Sequence, residues 1–363
     1  ITDCVGTAVS TPAIVMQSKR VDLAIHEATV TIDEPRVPVK HETILALEHV
    51  NLNAGDSWTD ALSDFWFGIV GGSSDPRADA VCKRVKASGG SMKSLQWINI
   101  GLQQLHMPLG EPKDTVQVVR GEIGLSFGSS ELEALQERLR QSEIAYTSAG
   151  GALRFCCPLG NALRVEACPG PRSWFGPAEV IQPDAAHALP GGPTAGLGIR
   201  YVHFDVPFGV AEGICRFYRH IFASEAHVAR HEGRPTCVVP IGHHQALEFV
   251  EQLSDAPPLR PYDGMHIAIY VNDFERAYCR AAGCQLVWNN PRFPNLTYDT
   301  LDDARRHHEF RLLRMADPVS GEALYDLGHE VRSLAHFGWL PDVGPAFPTR
   351  GTWRGSGLCL GLN

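Results

Sequence analysis

The sequence is short of positive charge: 363 residues carry 32 Lys and Arg against 41 Asp and Glu, a formal net charge of −9. It shows no basic cluster of the kind that neutralises phosphates, which argues against nucleic acid as a partner. It also lacks long apolar runs, none approaching the roughly 18–20 residues that cross a bilayer as a helix. Its ten cysteines form no Cys-x-x-Cys pair. Only Cys156 and Cys157 are adjacent, and strand geometry sends neighbours to opposite faces, against a joint catalytic role. A chain of this length has core enough without a disulfide scaffold, so the thiols read as reduced and the compartment as intracellular, cytosol or organelle lumen. No Ser-His-Asp context and no phosphate-cradling glycine loop stands out. The first residue is Ile1 rather than Met, which fits a removed targeting peptide as well as trimming.

What is present is a unit that recurs four times. A short apolar strand opens on a polar residue, a helix follows, and a glycine-turned hairpin closes on a strand with another polar residue. The sharpest copy begins His266-Ile267-Ala268-Ile269-Tyr270-Val271, where the period-2 pattern predicts a half-buried strand and Asn272 or Asp273 is placed to cap the next helix. The first copy opens at Leu45-Ala46-Leu47-Glu48-His49-Val50, runs through a predicted helix from Trp58 to Val70, and closes on the hairpin Ser94 to Met107, with Gly101 in the turn and His106 on the last strand. The second opens at Gly121-Glu122-Ile123, places a helix over 131–141, and turns at Pro158-Leu159-Gly160-Asn161 before Arg164. The third opens at Ile199-Arg200-Tyr201-Val202, continues into a helix near 210–222, and ends on the hairpin carrying Glu248. The fourth, opened by His266, ends near Asp326 and Leu327.

Composition divides the chain around these copies. Residues 1–43 form an N-terminal arm, 44–168 a first domain of two units, and 169–198 a Pro-, Gly- and Ala-rich linker. Residues 199–336 form a second domain of two units and 337–363 a C-terminal tail. The paired histidines His243-His244 and His307-His308 read as solvent-facing, the latter in a charged loop. The charges of His329-Glu330-Val331-Arg332, beyond the last predicted strand, either line the bowl rim or pair with one another, and pairing is the favoured reading.

Strand-helix-strand-strand-strand units that open His-Val/Ile-x-Leu/Ile and close Asp-Pro-x-Gly-Asn-x-Ile-Glu-Leu resemble the vicinal oxygen chelate superfamily. That superfamily includes glyoxalase I, extradiol dioxygenases and fosfomycin-resistance proteins. His49-Val50-Asn51-Leu52 and His266-Ile267-Ala268-Ile269 match the opening. Pro158-Leu159-Gly160-Asn161-Ala162-Leu163-Arg164-Val165 matches the closing hairpin, as does Asp317-Pro318-Val319-Ser320-Gly321-Glu322-Ala323-Leu324-Tyr325-Asp326-Leu327 with one inserted residue. The resemblance covers most of residues 44–334.

It implies an α+β fold of tandem βαβββ modules paired into two half-barrel, bowl-shaped sheets. It also implies a divalent metal, Fe, Mn, Ni or Zn, held by residues from the first and last strands of each module. Carried onto this chain, the metal-ligand candidates are His49, His106 and Glu122 in a first bowl, with Arg164 at the fourth corner. A second bowl offers His266, Glu248 and Asp326, with Tyr201 at its fourth corner. Imidazole and carboxylate suit such ions, whose open positions would take two adjacent oxygens of a small-molecule substrate. Arg164, permanently cationic, cannot ligate; it either pairs with Glu122 in place of an ion or holds an anionic substrate. Tyr201, as an oxygen ligand or an acid, and Glu248 are the catalytic candidates, although a tyrosine there also reads as packing with its hydroxyl tied to a neighbour.

Two functions are compatible with these residues. One is a metal-dependent enzyme acting on a small oxygenated molecule, either a lyase or isomerase working through a chelated enolate or an extradiol-type dioxygenase. The other is a non-catalytic binding or structural subunit that docks on a protein partner through 1–43 and 337–363.

Overall fold

The computed structural model describes residues 43–87, 93–110, 115–168, 191–242 and 244–336. The predicted arm, most of the linker and the tail lie outside these, and the strand that opens the third unit begins at Gly196, inside the stretch expected to be linker.

Each unit forms where its pattern places it. The first comprises β1 (Ile44–Asn51), α1 (Asp60–Ser63), β2 (Ser73–Ser74), α2 (Arg77–Ala87), β3 (Ser94–Ile100) and β4 (Gln103–Leu109). Thr59 caps α1, accepting from the Leu62 backbone NH. The segment then continues as a π-helix over Asp64–Ile69. That wider turn brings Phe65 and Trp66, both buried, edge to face at 4.9 Å, so the predicted single helix is two short ones of different pitch. The second unit is β5 (Gly121–Phe127), α3 (Ser129–Gln141), β6 (Tyr146–Ala149), β7 (Ala152–Cys156) and β8 (Ala162–Ala167). The third is β9 (Gly196–Val206), α4 (Ala211–Phe222), β10 (His227–His231), β11 (Arg234–Ile241) and β12 (Gln245–Glu251). The fourth is β13 (His266–Val271), α5 (Phe274–Gly283), α6 (Leu301–His307), β14 (Glu309–Ala316) and β15 (Ala323–Arg332). A single bridge from Val287 to Leu312 stands where its remaining strand would lie. His307-His308 therefore ends a helix rather than a loop: Thr300 and Asp303 form a capping box at its start, and His308 takes the left-handed conformation that stops it.

The sheets join units that are not neighbours in sequence. β1 pairs antiparallel with β13, so the first and fourth units share an outer sheet in the order β14-β15-β13-β1-β4-β3-β2. β5 pairs antiparallel with β9, so the second and third share an inner sheet, β10-β11-β12-β9-β5-β8-β7-β6. This corrects the expected bowls at 44–168 and 199–336. Spacing within a unit specifies its own strands, but the edge-to-edge joint is non-local, and the polar bridges that fix it are visible only in three dimensions. The Gln245 side chain accepts from Leu47 N at 3.1 Å and donates to Ile199 O at 2.8 Å, tying both sheets together. Gly101, at φ +63°, lets the β3–β4 turn approach β9 so closely that a Cβ there would lie 1.8 Å from the Leu197 carbonyl oxygen. One hydrophobic core runs through both sheets. The α+β architecture of βαβββ units in two open, bowl-like sheets is the one the resemblance implied. Among the described residues no helix is long and apolar enough to cross a membrane.

Candidate metal centre

The four central strands of the outer sheet, β15, β13, β1 and β4, present two rows of side chains on one face. Strand register puts Gln104, His49, Ala268 and Glu330 side by side, with His106, Asn51, His266 and Gly328 in the next row. Directly opposed residues share a face. The small Ala268 leaves the space between His49 and Glu330 open, and Gly328 leaves room for the ring of His266. A Cβ on Gly328 would lie 2.8 Å from the His266 Cβ and 2.7 Å from the Tyr262 hydroxyl.

Into that space converge one ligand atom each from His49, His266 and Glu330, all within 4.8 Å of one another. His266 Nε2 lies 3.6 Å from Glu330 Oε2. His49 Nδ1 is 2.9 Å from Glu48 Oε2, while its Nε2 is buried with no hydrogen-bond partner. Burial and the guanidinium of Arg311 hold the His266 imidazole well below its ordinary pKa, so its lone pair is available at neutral pH. Neutral imidazole and carboxylate are the protonation states that bind divalent ions, and a buried nitrogen without a partner on a residue grouped with two further donors is what such a centre requires. The residues fit.

Glu330 is strongly held. Its Oε2 accepts from Arg311 Nη2 at 2.7 Å and its Oε1 from Arg332 Nε at 2.6 Å. Burial alone would raise this carboxyl, but Arg311 and Arg332 hold it well below the usual carboxylate range. Arg311 Nε also donates to Glu309 Oε1 at 2.8 Å, and the Tyr298 hydroxyl donates to the same oxygen at 2.5 Å. Burial pushes the Glu309 carboxyl up to about 7. On the far side Arg332 donates to Glu48. Burial raises and Arg332, with His49, lowers the Glu48 carboxyl, leaving it at about 2. A second group of close donor atoms, Glu309, Glu330 and His336, already has these two guanidiniums as its countercharges.

His106 has a different place from the one its sequence position suggested. Its ring stacks between His49, centroids 3.7 Å apart, and Trp97, at 4.2 Å. Face-to-face imidazoles do not point their nitrogens at one ion. His106 Nε2 bonds Gln104 Oε1 at 2.8 Å, and Gln104 Nε2 donates at 2.7 Å to Asp75, a buried carboxylate that also receives Arg77. His106 is thereby the fixed wall behind His49.

The other predicted residues lie elsewhere. Asp326 sits at the solvent-exposed start of β15, paired with Arg314 at 3.1 Å. The strand runs on to Arg332, and Glu330, four residues further, occupies the position by the histidines. Sequence reasoning stopped the strand at Leu327 and read Glu330 as a pairing charge. It does pair with Arg332, from inside the sheet, and the continued alternation through Leu327, His329 and Val331 was the available signal. Glu122, Tyr201, Glu248 and Arg164 all lie on the inner sheet, apart from His49, His106 and His266. There the register aligns Glu122, His203 and Glu248 across β5, β9 and β12. The Tyr201 hydroxyl donates to Glu122 Oε1 at 2.5 Å. Arg164 pairs with Glu166, not with Glu122. Among the described residues, groups of three close metal-ligating atoms occur on the outer sheet and not on the inner one.

No family model matches the chain and no curated protein matches it. Among solved structures, a Bacillus subtilis protein provisionally named a dioxygenase is similar at 13% identity over 86% of this chain and 94% of its own, with a TM-score of 0.49. Glyoxalase I from Zea mays is similar at 11% identity over 79% of this chain and 92% of its own, with a TM-score of 0.46. A variant of 4-hydroxymandelate synthase from Streptomyces coelicolor is similar at 13% identity over 80% of this chain and 94% of its own, with a TM-score of 0.27. These neighbours are members of the vicinal oxygen chelate superfamily.

Proposed function

We propose that the chain is a metal-dependent enzyme of the vicinal-oxygen-chelate type, with one centre in the outer bowl made by His49, His266 and Glu330. The observation that carries the reading is the buried, unpartnered Nε2 of His49, a residue with a ligand atom within 4.8 Å of those of His266 and Glu330. Two imidazoles and one carboxylate on adjacent strands form the donor set suited to non-haem Fe(II) with open positions. This favours an oxygen-dependent reaction over an isomerase or lyase. An ion bound there supplies Lewis acidity and places for two adjacent oxygens of a small oxygenated substrate. The chain's own residues set the conditions. Trp97 and His106 fix the ring of His49, Arg311 and Arg332 keep Glu330 ionised, and burial around the donors keeps bulk water out. The Tyr262 hydroxyl stands beside His266 and Gly328; burial and Asp263 hold it protonated, so it can donate a hydrogen bond to a bound oxygen.

A second reading rests on one observation. Both oxygens of Glu330 already accept from guanidiniums, which balances the charge without an ion; the outer bowl would then be a structural ion-pair core in a binding subunit. Elemental analysis separates the two. Protein purified without chelator or metal resin should hold close to one Fe, Mn, Ni or Zn per chain, lost in His49→Ala, His266→Ala and Glu330→Ala. A folded wild-type protein that is metal-free and takes up none of these ions overturns the enzyme reading.

A further inference from the structure

A regular strand sends consecutive side chains to opposite faces, so Glu48 and His49 should not meet. They do because β1 carries a β-bulge. Leu47 pairs with Ile269 and His49 with Ala268, so two steps along β1 oppose one step along β13 and Glu48 is the extra residue. A bulge re-aims the side chains beside it. Here it swings Glu48 alongside the His49 ring, 2.9 Å from Nδ1.

The partners of Glu48 determine what this contact does. The Tyr270 hydroxyl donates to Oε1 at 2.8 Å, and Arg332 donates to Oε2. A carboxylate that receives a hydroxyl and a guanidinium is ionised and can only accept. The proton of this hydrogen bond therefore sits on His49 Nδ1. Stacking on His106 prevents the ring from escaping by tilting.

We infer that Glu48 is a positioning residue for the centre: held by the bulge, it fixes the tautomer and direction of His49 so that Nε2 faces His266 and Glu330. The inference rests on the reading that these three residues hold an ion, but its first consequence does not. In the metal-free protein, nitrogen-15 NMR of the ring should show His49 protonated at Nδ1. Glu48→Ala removes the acceptor. Glu48→Asp keeps the negative charge beside Arg332 while drawing it back from Nδ1, which protects the fold. Both should move His49 toward the Nε2-protonated form and weaken Co(II) binding by about 10–100-fold. Glu48→Gln, whose amide oxygen still accepts, should keep the tautomer and lose less affinity. Folded Glu48→Ala and Glu48→Asp proteins with the wild-type tautomer and Co(II) affinity overturn the inference. If Glu48→Ala does not fold, Glu48→Asp decides alone. A wild-type protein that binds no Co(II), yet changes tautomer in Glu48→Asp, refutes the metal reading and leaves the orienting role of Glu48 standing.

Discussion

At the scale of the residue, neighbouring histidines in one bowl have separate duties. His49 and His266 belong to the proposed ligand set, whereas His106 is held between two rings and tied to Gln104. Replacing His106 by Ala should leave metal stoichiometry at one ion per chain while costing stability, by about 2–4 kcal/mol for a large buried side chain; elemental analysis and chemical denaturation on the same preparation check both halves. On the inner sheet, burial raises the Glu248 pKa, so folding binds a proton there more tightly than the unfolded chain does. The folded state is favoured below the unfolded pKa and loses that advantage as pH rises through the folded one. Glu248→Gln should therefore raise Tm at pH 8 relative to wild type and leave Tm closer to wild type at pH 4; equal shifts at both values would reject the argument. Opening polar residues were legible because they interrupt an apolar alternation, which is how His49, His266, Glu122 and Tyr201 were found. Their roles were less legible, since stacking, an ionic partner or a lone pair depends on neighbours that come from other strands.

The elements show how much the centre depends on what its strands omit. Gly328 and Ala268 carry no bulk where the donors meet, so β15 and β13 make space as well as supply ligands. Gly328→Ala puts a methyl 2.7 Å from the Tyr262 hydroxyl and 2.8 Å from the His266 Cβ, and should displace His266. The expected result is a folded protein whose Co(II) affinity falls at least as far as that of Glu48→Ala; unchanged affinity would show that His266 adapts without leaving the centre. The boundaries of α3 and α4 and the start of α5 followed closely from hydrophobic period and turn residues, whereas β9 begins at Gly196, ahead of its predicted opening at Ile199. The length of β15 did not, because Glu330 and Arg332 are charged residues at inward positions, and a sequence pattern treats inward charge as the end of a strand. Only their mutual pairing, with Arg311 from β14, makes burial tolerable. The bulge in β1 was illegible for a related reason: it is defined by two strands, and β13 lies far along the chain.

For the whole molecule, the consequential feature is the crossing of the units. Neither residues 1–190 nor residues 191–363 contain both halves of any sheet, because β1 requires β13 and β5 requires β9. Expressed separately, the two pieces should remain unfolded or aggregate, since each exposes unpaired edge strands. Expressed together they should reconstitute a complex that elutes with the intact protein; a stable, monomeric 191–363 fragment would contradict the topology. Repetition in the sequence revealed the number and type of units, but four similar units can be paired in more than one way. The choice rests on contacts such as Gln245 with Leu47 and Gly101 with Leu197, which no local pattern announces.

The crossing also orders events in time. The inner sheet is built from one continuous stretch, Gly121 to Glu251, and can assemble while the ribosome is still reading the fourth unit. The outer sheet cannot. β1 is made well before β13 and β15 and must wait, unpaired on one edge, for them to emerge, a long-range closure of the kind that folds slowly. His49 is therefore made long before His266 and Glu330, and a chain stopped short of Glu330 lacks one member of the proposed ligand set. On the proposed reading, an ion can be taken up only once the fourth unit has been made and paired with the first.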